Sequence, residues 1–209
     1  NEFCGVLSYD LPLMLNVDVL KTDTSLGEIF LRWTKAPLQS IDTIAFPGPY
    51  TSIVRTKEKN KTDWTYISDS KRDFEFYQMV WDTIYTHSRL NTSLNQYQYS
   101  IEIQASNKQI SSSDSADMLF LITEPLDRSI QLKWSGTSPW NNYQYRIFIL
   151  NSATGVFDSV GITNVTNYVA GSLSNDSLYC YYILSEGSYG ISTVEHPLFN
   201  RSNISCTQP

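Results

Sequence analysis

The chain has 209 residues, with 15 Lys or Arg against 21 Asp or Glu and a formal net charge of −6. Such an acidic balance leaves no electrostatic footprint for nucleic acid, and no apolar run is long enough to cross a membrane as a helix. A hydrophobic content of 41%, with 14 Tyr and 5 Trp, can fill real cores, which excludes wholesale disorder.

Residues 1–12, "NEFCGVLSYDLP", carry neither an initiator Met nor a signal-peptide pattern, and read as a tail or linker from a preceding module. A first module is expected over 13–110. It holds "IFLRWTKAP" (29–37), whose apolar and polar residues alternate as in a strand buried on one face. "PYTSIVRTK" (49–57) follows, and then "KEKNK" (57–61), a hairpin tip. "FEFYQMVWDTIY" (74–85) could be drawn as helical turns, but Phe74, Phe76, Gln78 and Val80 alternate and predict a strand. "YQYSIEIQA" (97–105) is another strand. The polar, Ser-rich stretch 106–117 holds the last strand and the hinge, with the linker placed at 111–116.

The second module, expected over 117–209, repeats these landmarks in the same order. "IQLKWSGTSP" (130–139) sets Trp134 against Trp33, "NYQYRIFIL" (142–150) follows, and "YCYYILSEG" (179–187) matches 97–105. In each copy a Leu, Leu90 or Leu173, precedes the first Tyr, Tyr97 or Tyr179. "LNSATGVFDSV" (150–160) between them has hairpin chemistry. Three ordered matches mean a tandem duplication, and the fold class is all-β, two sandwiches.

Chemistry is sparse. His87, in a turn-like "THSRL", and His196, before Pro197, read as surface residues without a catalytic partner set. Three Cys and two His lack zinc-ligand spacing, and no calcium or phosphate loop occurs. Asp69, Asp73 and Glu75 could supply a glycosidase pair, but Lys71 and Arg72 among them mark a solvated turn. Neither enzyme activity nor a cofactor is expected. Trp64 and Trp81 are candidates for a sugar-stacking platform, with packing the stronger reading for these and for Trp140. Six Asn-x-Ser/Thr sequons start at Asn60, Asn91, Asn164, Asn175, Asn200 and Asn203.

The Trp strands, the alternating Tyr strands and the Leu-then-Tyr corners resemble the fibronectin type III fold, twice over. This implies two tandem fibronectin type III-like (immunoglobulin-like) β-sandwiches, with Trp33, Trp134, Tyr97 and Tyr179 as core markers. More narrowly, Pro139-Trp140, Tyr179-Cys180-Tyr181 and Asn200…Cys206 resemble modules of large Bacteroidota surface proteins, the gliding motility-associated C-terminal domain-containing proteins.

In this topology Cys180 faces away from the core, and Cys206 lies on the neighbouring last strand. The pair is expected as a disulfide closing about 26 residues, which contributes on the order of 3 kcal/mol. Gln98 stands in the first module where Cys180 stands in the second, so that module lacks the crosslink. Cys4 has no partner here; the resemblance implies one upstream, and otherwise it is an exposed thiol. The resemblance also points to Asp-Ser/Thr-aliphatic O-glycosylation at Thr43, Thr83, Ser115, Ser159 and Ser177.

The function implied is an extracellular, cell-surface spacer in a protein exported by type IX secretion, with adhesion as an added role. Its partners would be neighbouring modules and an unknown surface ligand, and the chain itself a monomer. The alternatives are a ligand-binding ectodomain of cytokine-receptor type, against which "EGSYGIS" lacks a Trp-Ser-x-Trp-Ser motif, and a carbohydrate-binding accessory module.

Overall fold

The computed structural model describes residues 12–35, 41–77 and 83–209. The first module contains β1 (Met14–Lys21), β2 (Gly27–Trp33), β3 (Tyr50–Glu58), β4 (Thr65–Tyr66), β5 (Arg72–Phe74), β6 (Ile84–Leu90), β7 (Tyr97–Ala105), β8 (Lys108–Ser112) and β9 (Ala116–Asp117). Strands β1-β2-β6 form one antiparallel sheet. The other runs β4-β3-β7-β8, with β5 also on β3 and β9 also on β7. Alternation decides the faces: in β2, Ile29, Leu31 and Trp33 are buried while Glu28, Phe30 and Arg32 are half-exposed. With Val17, Val19, Val54, Tyr99 and Ile101 they fill the space between the sheets, each large apolar side chain contributing about 1.5–3 kcal/mol.

The second module repeats the plan with β10 (Phe120–Leu126), β11 (Ser129–Ser135), β12 (Asn141–Leu150), β13 (Phe157–Thr163), β14 (Asn167–Gly171), β15 (Tyr179–Ser188), β16 (Leu198–Arg201) and β17 (Ser205–Thr207). Sheet β10-β11-β14 faces sheet β13-β12-β15-β16, with β17 continuing along β15. Leu121, Ile130, Leu132, Trp134, Ile147, Tyr181 and Ile183 form its core. The chain is thus all-β, two sandwiches in tandem.

The duplication extends to individual hydrogen bonds. The Tyr97 hydroxyl accepts from the Asn91 amide at 3.2 Å, and the Tyr179 hydroxyl from the Ser174 amide at 3.0 Å, tying each corner to its strand. Each last strand also bulges at a serine. Ser113 N–H donates to the Ile101 carbonyl while Ile101 N–H donates to Ser113 Oγ, and Ser202 makes the same pair with Ile183. A hydroxyl thereby fills the ladder position that the bulge opens.

Two expectations change. Residues 111–116 belong to the body of the first module: Ser111 and Ser112 end β8, Ser113 is the bulge clamp, and Ala116 pairs with Tyr99. The handover falls between Met118, in the first core, and Leu119, in the second. The strand expected from Phe74 onward ends at Phe74. Phe76 is then exposed and Tyr77 turns inward, its ring edge-on to Tyr50 at 5.5 Å. Trp81 and Cys4 lie outside the described residues.

Candidate functional site: the joint between the modules

Among the described residues no three His, Cys, Asp or Glu side chains come close enough to hold a metal, and no helix is long and apolar enough to cross a membrane. Asp73 accepts a 2.6 Å bond from the Thr51 hydroxyl and pairs with Lys71 at 3.2 Å. Chiefly through the Thr51 bond its carboxyl is held below the usual carboxylate value, the opposite of what a glycosidase acid requires. It borders an open hollow of about 780 Å³ lined by Pro47, Pro49, Phe74 and Phe76. Trp64 offers no bare ring, because Arg55 and Lys57 lie over it at 5.5 and 5.2 Å.

His87 does not sit in a turn. It lies on β6, and its half-buried ring reaches inward to the Tyr99 hydroxyl, Nδ1 to oxygen 3.1 Å. Burial pushes its pKa below 6.5, with Asp69 pulling weakly the other way. The unfolded chain then binds more protons at this position below 6.5. Stability is therefore expected to fall as pH drops through the window beneath that value, and to level off below the folded pKa. Urea midpoints at about pH 7.5 and 5.5 should show the fall, and His87→Gln should flatten it.

The developed polar site is where the modules meet. β1 of the first module runs alongside β16 of the second in the same direction, joined through side chains instead of a backbone ladder. Asn16 Nδ2 donates to the Phe199 carbonyl, Val17 N–H to Asn200 Oδ1 at 2.9 Å, Arg201 N–H to Asp18 Oδ1 at 2.6 Å, and Ile204 N–H to Thr22 Oγ1 at 2.7 Å. Burial raises the Asp18 pKa, against the opposing pull of the Arg201 amide and guanidinium. Just beyond, Asn203 closes both bonds to the Leu121 backbone, so β10 continues the line that β1 begins along the same last strand. The modules overlap as in a lap joint.

An apolar plug seals one end of the seam. Leu15, Trp140, Val194 and Leu198 are buried together, the Trp140 indole N–H donates to the Leu15 carbonyl at 3.1 Å, and the Tyr189 hydroxyl donates to the Met14 carbonyl at 2.9 Å. Gly187 is required by close approach, since a Cβ there would stand 2.1 Å from the Asn141 carbonyl oxygen and 2.5 Å from the Trp140 ring. Asp117 adds a second fastening between the modules. Its buried carboxylate meets Lys59 and Gln98 Nε2 (2.7 Å) from the first module, and the Thr137 amide (3.0 Å) and hydroxyl (2.7 Å) from the second.

The joint reassigns several sequence candidates. Trp140 is its anchor. Asn200 and Asn203 are only 3% and 1% exposed, the first bonded across the seam to Val17 and the second to the Leu121 backbone within the second module, so neither can carry a glycan in the folded chain. Asn60, Asn164 and Asn175 are exposed, as are Thr43, Ser115 and Ser159, while Thr83 and Ser177 are half-buried. Cys180 and Cys206 are directly opposite on β15 and β17 and joined by a disulfide. In sequence, the only sign of the seam was its unusual density of Asn and Asp on strands, where these residues are otherwise depleted.

Each module is therefore a β-sandwich with a three-stranded sheet facing a larger one, of fibronectin type III-like type. No family model matches the chain, and no curated protein matches it. Many solved structures are similar to it, two of them as follows. The FN1–FN3 domains of chicken CNTN1 are 14% identical at a TM-score of 0.32, over 95% of this chain and 65% of that one. The chicken interferon gamma receptor alpha chain is 11% identical at a TM-score of 0.32, over 95% of this chain and 98% of that one. The fold assignment rests on the strand pairing above and not on these overlaps.

Proposed function

We propose that the chain is a non-enzymatic structural pair from a large extracellular repeat protein of the Bacteroidota gliding motility-associated type, exported by type IX secretion, and that it sets the spacing and direction of its neighbours in the chain. The observation that carries this reading is the joint: a spacer needs a fixed angle, and this seam combines an apolar plug with buried polar bonds between the modules. The Cys180–Cys206 disulfide supports an oxidising, extracellular setting. The motifs that resemble the family support the bacterial assignment, with Trp140, Asn200 and Cys206 now given structural work. An adhesive role would rest on exposed loops and not on the joint.

Displayed between a cell anchor and a fluorescent tag, the pair should hold the tag at one height above a membrane dye, read by energy transfer. A spread of heights equal to that of a Gly/Ser linker of similar length would contradict the spacer function.

A further inference from the structure

The seam joins the first strand of the pair to the end of its last. Asn16 bonds to Phe199, Val17 to Asn200, Asp18 to Arg201 and Thr22 to Ile204, so β1 and β16 run the same way. The chain therefore enters the seam at the Met14 end and leaves it at the opposite end, through Thr207. Tension drawing the two exits apart slides β1 along β16 and strains all four bonds at once. Antiparallel strands would place both exits at one end, where the bonds would open one after another. The exits lie about ten residue steps apart, about 30 Å at ~3.3 Å per residue, with the bulk of both sandwiches to the side of this line. β1 is gripped on its other flank by the β2 ladder, from Met14–Trp33 to Lys21–Glu28. Cys206 is tied to Cys180, so the last strand cannot peel from β15 and the load must cross to β1. Val17 and Asn200 are 0% and 3% exposed, so water cannot replace their bond before the strands move.

We propose that the seam is a shear clamp, which locks the pair at short length when the chain is pulled from both ends and lengthens it only after β1 slips. The load comes from neighbours in the chain, so this use rests on the reading above; the clamp itself is a property of the pair alone. Its contacts divide along the line of pull. The Asn200 and Asp18 acceptors hold the entry half, and the Thr22 hydroxyl, reached by the Ile204 amide at 2.7 Å, holds the exit half. Asn203, bonded twice to Leu121, and Ser205, bonded to the Thr123 hydroxyl at 2.9 Å, continue the same parallel line on β10. A spacer built this way keeps its length, and not only its angle, up to a threshold force.

Single-molecule pulling with handles at the two termini of the oxidised chain tests this, since forced opening reports the barrier to opening and not the equilibrium stability. The parent chain should show a dominant rupture peak. Asp18→Ala with Thr22→Val, both outside the sandwich cores, should lower that peak. Asp18→Asn, which keeps an acceptor for the Arg201 amide, should retain most of it. With handles at the C terminus and, in a Cys4→Ser chain, at Thr154→Cys, the force stays in the second module and bypasses β1. There the double variant should rupture where the parent does. If the double variant fails to fold, Thr22→Val alone should still lower the end-to-end peak. A peak that the seam variants leave unchanged, or one that falls equally in both geometries, would overturn the clamp. Linker-like tag heights alongside a clamp-dependent peak would overturn only the spacer reading.

Discussion

Trp140→Ala is expected to turn one cooperative unfolding transition into two. The indole is 4% exposed, packs with Leu15, Val194 and Leu198 from both modules, and donates its N–H to the Leu15 carbonyl. Removing it opens a cavity at the inter-module plug and leaves a carbonyl unpaired, a loss of about 3–5 kcal/mol for a buried aromatic truncation. Neither sandwich core contains Trp140, so each module should keep its own sheets. Calorimetry should therefore show the two transitions separating, with far-UV circular dichroism at room temperature unchanged. Gly187→Ala should act in the same direction by displacing the ring, without removing any apolar group. A single transition, merely shifted, would mean that the plug does not couple the modules.

Asp117→Ala is expected to have the second largest effect, by a different route. The carboxylate is 3% exposed and satisfies donors from both sides: Gln98 in the first module, and the Thr137 amide and hydroxyl in the second. Truncation leaves these donors facing an apolar methyl, at about 1–3 kcal/mol for each that water cannot reach. Lys59 can turn to solvent, being 44% exposed, so its charge adds little to the loss. The net cost should be about 3 kcal/mol in urea unfolding. Asp117→Asn, which keeps the shape and one acceptor, should lose less. Equal losses for the two variants would show that the charge, and not the hydrogen-bond geometry, holds this fastening.

The sandwiches were legible in the sequence because their determinants are local and periodic. Leu-x-Trp in a strand of period two places Trp33 and Trp134, and Leu followed by an alternating Tyr strand places Tyr97 and Tyr179. The joint was not legible, because the bonds between β1 and the end of the chain connect residues 182 or 183 positions apart. Its components also look like something else in one dimension. Asn200 and Asn203 read as sequons, Trp140 as an ordinary packed aromatic, and Ser113 as part of a linker, though each completes a backbone ladder or a plug. His87 was misplaced for a related reason: "THSRL" is polar, and only the neighbouring strand reveals that its ring faces Tyr99. Polar residues that replace strand pairing carry no hydrophobic period, and period is what a sequence displays.

The seam and its plug predict that the two modules move as one rigid body. It is tested most directly by placing spin labels at Ser25 in the first module and Thr154 in the second, both exposed, as cysteines in a Cys4→Ser chain that keeps its native disulfide. Double electron–electron resonance should return a single narrow distance distribution, and Trp140→Ala should broaden it. A broad distribution in the chain with Trp140 intact would contradict the account.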